Sequence, residues 1–439
     1  MCRGCLNVRA QGKQLRSQFL GVAQLGSNAK TQSAGKASLT ACQIAPCCAL
    51  NLQSHKLSNS RTRDSKTVMT APRLQIDLDA LAHNFHALRH RVGGDLPAQR
   101  TGAVVKANAY GLGMAPIARR LWQEGCRRFF VALADEGEQL RSVLPQAQIY
   151  VLAGVTGQTL GAIKAHDLIP VLNNLEQCRL WSEANAGGTS ALHIDTGMHR
   201  LGLSPDEAIS VLPPLQVELV MTHFARADEW GQAMRAQQLE RFAACVPTLL
   251  QRFPDALFSA NNSAGALTDS VLPTVVANLD EQRLVDRLGI GLYGANPHSP
   301  RDSAAAAVQL ATVATLQAEV LQIRPVAAGA SVGYGSTYTV TQACRLATIS
   351  AGYADGVSRL LSNQGQVYFR GQRFAMVGRI SMDSLVVELP ADSALGDLAV
   401  GDWVEVFGRN IGVDEVATQM QTIAYEVFTG LGSRVHRVS

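Results

Sequence analysis

Residues 103–113 read Ala103-Val104-Val105-Lys106-Ala107-Asn108-Ala109-Tyr110-Gly111-Leu112-Gly113. Three apolar residues make a short buried strand, and the chain then turns through glycine toward an amphipathic stretch. A doubly wound nucleotide-binding sheet also opens with strand, turn and helix, but its turn carries Gly-x-Gly-x-x-Gly directly after the strand. Here a lone Gly-x-Gly arrives late and lacks the third glycine. Outward from this segment, short apolar runs recur at 103–107, 129–133, 148–153, 168–172, 190–195, 217–222, 257–260 and 286–291. Amphipathic stretches such as 113–124, 174–185 and 232–251 lie between them. Strands alternating with helices imply βαβ units and a parallel sheet. Eight such units within about 200 residues suit a (β/α)8 TIM-type barrel.

Beyond about residue 305 the pattern changes. Runs at 345–350, 366–370, 373–378, 384–388 and 403–407 are short and separated by Gly, Asp, Asn or Ser, as in a mainly antiparallel β domain. Before the barrel, Leu74, Ile76 and Leu78 alternate as a strand. Asp79 then offers a helix N-cap, followed by Leu81, Phe85, Leu88 and Val92 at helical spacing. The expected division is a basic extension over 1–68, a barrel over 69–305 and a β domain over 306–439.

The whole chain of 439 residues is 47% hydrophobic and 17% charged, a globular balance. It holds no run of about 20 apolar residues, so no membrane span is expected. The net charge of +4 conceals a division: residues 1–68 carry ten Lys or Arg against Asp64, which leaves −5 for the rest. A body of that sign has no bulk attraction for nucleic acid. Cys2, Cys5, Cys42, Cys47 and Cys48 lie in the extension, while Cys126, Cys178, Cys245 and Cys344 are scattered behind it. The latter four form neither a disulfide framework nor a metal spacing, and they fit a reducing, cytoplasmic compartment. The extension reads as a transit segment, a flexible tail or an over-early start, with Met69 the true start. The last is favoured, because ordered patterning begins abruptly after Met69.

Barrel enzymes place reactive groups at the C-terminal ends of strands. Here those ends carry Lys106, Asp195 with Arg200 beyond it, Thr222-His223, Asn262-Ser263 and Arg287. Lys106 ends a buried strand, where an amine needs a partner, a depressed pKa or a covalent link. It reads either as a lysine snorkelling to the rim or as a Schiff-base lysine. In the second case Ser263, the Gly289-Ile290 amides and the Tyr110 hydroxyl could cradle a phosphate, which together suggest pyridoxal phosphate. No metal-ligand set accompanies them.

The segment 103–113 closely resembles the pyridoxal-phosphate lysine motif of alanine racemases. The resemblance runs from about residue 72 to the end. It includes Asp195-Thr196-Gly197-Met198-His199-Arg200-Leu201-Gly202, Thr222-His223-Phe224-Ala225, Asn262-Ser263-Ala264 and Arg287-Leu288-Gly289-Ile290. Further on it includes Gly333-Tyr334-Gly335-Ser336-Thr337-Tyr338, Gly352-Tyr353-Ala354-Asp355-Gly356 and Ile380-Ser381-Met382-Asp383.

The resemblance implies a barrel, a C-terminal β domain and a homodimer with shared active sites, acting on alanine. Lys106 would hold the cofactor and act as one acid–base group, and Tyr334, from the other chain, as the second. Tyr110, Asn262, Ser263, Gly289, Ile290 and Tyr425 would bind the cofactor, with His223 against its ring and Arg287 facing the pyridine nitrogen. Arg200 would orient the cofactor and receive the substrate carboxylate, Met382 would contact substrate, and Tyr353 would line the entrance. Taken alone, Tyr334 reads as a rim tyrosine, Met382 as core filler, and Arg287 as a structural ion pair with Asp286 or Glu281. The chain departs from the family at His193, where many members have a carbamylated lysine. Broad-specificity racemisation, for example of serine, and a non-catalytic cofactor-binding barrel are the alternative functions. D-alanine supply for peptidoglycan and alanine breakdown are equally compatible with the motifs.

Overall fold

Leu74 and Ile76 turn to the core and Arg73 and Gln75 away from it, so residues Arg73–Ile76 form strand β1. The computed structural model describes residues 70–90, 100–185, 187–228, 233–267, 279–298, 309–390 and 398–439. The extension over 1–68, Met69, Val92 and the 305/306 division lie outside the described residues. Helix α1 (Leu78–His90) follows β1. Its start corrects the expectation at Asp79: the side chain that caps it is Asp77, whose Oδ1 accepts the Ala80 amide at 2.8 Å. Asp79 sits inside the first turn and pairs instead with Arg120 at 2.7 Å.

All eight expected barrel strands form. They are β2 (Thr101–Val104), β3 (Arg128–Val131), β4 (Gln148–Val151), β5 (Ile169–Leu172), β6 (Thr189–His193), β7 (Gln216–Met221), β8 (Leu257–Ser259) and β9 (Asp286–Leu288). Between them run α2 (Met114–Gln123), α3 (Ala134–Val143), α4 (Leu160–Ala165), α5 (Leu175–Ala184), α6 (Pro205–Ser210) and α7 (Ala233–Arg252), with a short α8 (Ser263–Leu267) after β8. The strands pair in parallel in the order β8-β7-β6-β5-β4-β3-β2-β9. The ring closes where Val285 and Arg287 donate to the carbonyls of Phe258 and Asn261 at 2.9 and 3.0 Å. Inside, Phe130 stacks on Tyr150 at 4.6 Å. Tyr150 also donates to Glu218 at 2.5 Å, so this layer fills the barrel and raises a floor under its C-terminal mouth. Gly102 is required there, since a Cβ would lie 2.4 Å from the Phe130 ring.

The second sheet is mainly antiparallel and built around the long β10 (Ala314–Val326). The strand pair β11 (Ser331–Val332) and β12 (Tyr338–Thr339) stands apart from it. Within the sheet lie β13 (Cys344–Ile349), β14 (Gln366–Phe369), β15 (Gln372–Ala375), β16 (Leu385–Leu389) and β17 (Trp403–Phe407). Helices α9 (Val413–Gln419) and α10 (Ala424–Thr429) precede the last strand, β18 (His436–Val438). The first strand belongs to this sheet and not to the barrel: β1 pairs antiparallel with β10 and parallel with β18.

Candidate active site

The C-terminal mouth of the barrel opens into a cavity of about 460 Å³ lined by the polar strand ends together with apolar residues such as Val104, Phe130, Leu152 and Met221. β2 stops at Val104, and Val105 still donates to the Phe130 carbonyl at 2.9 Å. The chain then does something L-residues avoid. Ala107, Asn108, Ala109 and Tyr110 all adopt φ between 52° and 56°, one turn of left-handed helix. Its bonds run from the Ala109 amide to the Val105 carbonyl (2.8 Å) and from the Gly111 amide to the Ala107 carbonyl (2.7 Å). Such backbone is disfavoured by about 1–2 kcal/mol per residue, so the surroundings must hold it. Asn108 Oδ1 accepts the Met114 amide at 2.8 Å, and Arg437 Nε donates to the Gly111 carbonyl at 2.6 Å. The turn sends Lys106 into the cavity and tucks Tyr110 beneath it. Burial, and then the charge of Arg200, hold the Lys106 amine below its ordinary range, while Glu136 opposes them.

One wall is a cradle of small groups. Ser263 Oγ collects the amides of Gly289 and Gly291 at 2.8 and 3.2 Å. Ile290, the neighbour of Gly289 in the expected cradle, lines the same cavity. A Cβ on Gly289 would lie 2.4 Å from Tyr110 Oη, so only glycine leaves the space open. Tyr425, on α10, brings its ring to 5.8 Å from Tyr110. Neither hydroxyl bonds to a described residue, and both line the cavity. Burial pushes the Tyr425 phenol up to about 12 and that of Tyr110 higher still, so both remain protonated donors. Asn262 also lines the cavity, with its Oδ1 capping the Gly265 amide at 2.9 Å.

On another wall Arg287 is not paired with Asp286, as an ion-pair reading would have it. Asp286 accepts from Asn261 at 3.0 Å. The guanidinium donates to the carbonyls of Ser259 (2.9 Å) and Thr222 (2.7 Å), to Ser259 Oγ, and to His223 Nδ1 at 3.3 Å. Burial lowers its pKa to about 10, against the pull of Asp286, and it stays charged at neutral pH. Burial and the charge of Arg287 press His223 down to about 3, so its ring is neutral.

Arg200 leaves the loop after β6, which Asp195 organises by accepting the amides of Gly197, Met198 and His199 at 2.9, 2.8 and 3.1 Å. Arg200 lines the cavity mouth, where its guanidinium has no hydrogen-bond partner among the described residues. Nearby, His193 is buried, with Nδ1 held by Asn173 Oδ1 at 2.9 Å. Burial first, and then Arg287, lower its pKa to about 4.

Comparison with known proteins agrees with this geometry. The alanine racemase N-terminal domain family matches residues 76–297 and the alanine racemase C-terminal domain family residues 313–439. The chain belongs to the alanine racemase family. A catabolic alanine racemase of Agrobacterium fabrum (strain C58) is 40% identical over 375 residues, covering 83% of this chain and 91% of that protein. The alanine racemase of Brucella abortus (strain 2308) is 37% identical over 396 residues, covering 86% and 96%. Among solved structures, the Bartonella henselae alanine racemase with covalently bound pyridoxal phosphate superposes with a TM-score of 0.72 at 33% identity, covering 84% of this chain and 99% of that one. The biosynthetic enzyme of Pseudomonas aeruginosa gives 0.71 at 33% identity, with the same two coverages.

Within this family member, three of the expected residues stay outside the cavity. Tyr334 is 71% exposed, Met382 52% and Tyr353 43%. They share one face of the β domain. Tyr353 and Ala354 donate to the carbonyls of Ser381 and Met382 at 3.1 and 3.0 Å, and Gly333 and Gly335 flank Tyr334 against Arg379. A single chain therefore assembles Lys106, the cradle, Arg287, His223 and Arg200, and presents Tyr334, Tyr353 and Met382 outward. The sequence reading passed over two neighbours: Asn173 and Glu136. Only Glu136 left a local signal, an acidic pair with Asp135 opening the helix after β3.

Proposed function

We propose that the chain is a pyridoxal-phosphate-dependent racemase interconverting L-alanine and D-alanine, working as a homodimer with shared sites. The observation that carries the reading is the convergence of Lys106, the Ser263–Gly289 cradle and Arg287 in one cavity of a chain of this family. The residues fit the cofactor. Two tyrosine hydroxyls and Ser263 offer donors to a phosphate, Gly289 leaves room for it, and Lys106 supplies the amine that would hold its aldehyde carbon. When bound, pyridoxal phosphate withdraws electrons from the amino acid and makes its Cα–H acidic.

Racemisation needs a proton removed from one face of Cα and returned to the other, hence two carriers. Lys106 Nζ is one, with its amine biased toward the neutral, proton-accepting form by burial and Arg200. The second carrier is the Tyr334 phenol of a second copy, whose exposed position suits a place across the cavity mouth. Arg200, whose guanidinium has no hydrogen-bond partner among the described residues, receives the substrate carboxylate. Arg287 would face the ring nitrogen of the bound cofactor, where its fixed positive charge would disfavour protonation and so favour prompt return of the proton to Cα. Met382 and Tyr353, also from the second copy, border the entrance.

Among the described residues no helix is long and apolar enough to cross a membrane. The free, buried thiols of Cys126, Cys178, Cys245 and Cys344 support a cytoplasmic setting. There the reaction would supply D-alanine for peptidoglycan or, run in reverse, feed alanine breakdown. The test combines two measurements: borohydride trapping of pyridoxal phosphate with peptide mapping, and a D/L assay over alanine and serine. Label on Lys106 with alanine as the preferred substrate is the expected result. Label elsewhere, or no racemisation by labelled-competent protein, would overturn it.

A further inference from the structure

The cavity's lysine hangs on a strained turn, and a single carboxylate grips that turn from the neighbouring connection. Glu136 lies in the first turn of α3. Its Oε1 accepts the amide of Ala107, the residue directly after Lys106, at 2.6 Å. Its Oε2 accepts the amides of Ala132 and Leu133, at the end of β3, at 2.7 and 3.2 Å. The two oxygens thus join the end of β2 to the end of β3, and Ala132 and Leu133 line the same cavity as Lys106. Amide-to-carboxylate bonds are stronger than neutral ones. Without the bond at Ala107, less would oppose relaxation of a turn that begins at φ 52°.

We propose that Glu136 is a positioning residue for Lys106, its carboxylate stapling the left-handed turn to β3 and fixing where the amine enters the cavity. The same charge acts on the amine through space. Burial and Arg200, from the loop after β6, lower the Lys106 pKa, and Glu136 opposes both. The other titratable groups on this cavity's walls are His193 on β6 and His223 after β7, both held neutral, the phenols of Tyr110 and of Tyr425 on α10, both held protonated by burial, and Arg287 on β9, which presses on those histidines. Removing the Glu136 charge therefore moves the Lys106 titration to lower pH. The catalytic meaning of this role rests on Lys106 being the cofactor lysine; the staple itself does not.

The test uses full-length protein freed of cofactor. In Glu136→Ala, amide exchange at Ala107 and Ala132 should speed by about 10- to 100-fold, the worth of a hydrogen bond to a charged acceptor. Glu136→Gln keeps the reach but offers one acceptor oxygen, so exchange should rise at one of the two amides. It also guards against a misfolded alanine variant. The pH dependence of Lys106 modification by trinitrobenzenesulfonate, read by peptide mapping, should shift down in both variants. Unchanged exchange at Ala107 in Glu136→Ala, or an unmoved Lys106 titration in Glu136→Gln, overturns the proposal. Failure of the wild-type protein to take up pyridoxal phosphate would instead sink the functional reading and leave these measurements standing.

Discussion

Gly289 leaves open a space that any side chain would fill, since a Cβ there would lie 2.4 Å from Tyr110 Oη. Gly289→Ala would drive a methyl toward Tyr110 Oη, and the expected result is weaker pyridoxal phosphate binding with little change in fold. Titrating the cofactor into the variant and melting the cofactor-free protein separate the two; undiminished affinity would remove the cradle from the binding site. Two other residues predict an acid response. His193 and His223 titrate near 6.5 when unfolded but at about 4 and about 3 here. Between those limits the unfolded chain binds more protons, so their contribution to stability is lost as pH falls from about 6.5 toward 4. The urea midpoint of the cofactor-free protein should therefore drop across that window, and drop less steeply in His193→Asn/His223→Gln. An equal slope in both proteins would assign the acid response elsewhere. Lys106, His223, Ser263 and Arg287 were legible in the sequence because a polar residue closing an apolar strand is a local event. Asn173 was not, since its reason is a histidine twenty positions away across a strand pair.

At the scale of elements, the eight parallel strands were readable because buried strands make continuous apolar runs. The spine of the second sheet was not. Two of the inward residues of β10 are Ala314 and Ala318, too small to mark the alternation, and β18 buries no apolar side chain at all. The place of β1 was hidden for a different reason: its partners β10 and β18 lie hundreds of residues away, and pairing at that distance leaves no local pattern. The same C-terminal segment ties the loops of the exposed face. Arg434 Nε grips Asp355, which is 1% exposed, at 2.6 Å, and its Nη2 grips Asp383 at 2.7 Å. It thereby joins the loop of Tyr353 to that of Met382. Arg434→Ala takes the cation from the buried Asp355 carboxylate, leaving it the Gly352 amide at 2.9 Å, and is expected to destabilise the protein by about 1–3 kcal/mol, toward the lower end because the arginine is half in water. Arg434→Lys, unable to fork, should recover only part. Urea unfolding of the two variants checks this, and an alanine variant as stable as wild type would show that Asp355 finds another partner.

For the whole molecule, the division of groups between cavity and outer face predicts how activity depends on pairing. Lys106 lines the cavity of its own barrel, whereas Tyr334 stands 71% exposed on the β domain. If a twofold dimer brings the Tyr334 of one copy to the Lys106 of the other, both sites are hybrids. Lys106→Ala and Tyr334→Phe should each lose about 10²–10⁴-fold in rate, or more, as homodimers, since each lacks one positioned proton carrier in every site. Mixed and allowed to exchange, they form heterodimers in which one site carries both substitutions and the other neither. Random exchange of equal amounts should restore about one quarter of wild-type activity, because half the dimers are mixed and half their sites intact. If both carriers came from one chain, no combination would contain a complete site and mixing would restore nothing. Activity is therefore read alongside subunit exchange, followed by native mass spectrometry of isotopically distinct chains. Full exchange without recovery would place the two proton carriers in one protomer. Recovery proportional to the heterodimer fraction would place them in two.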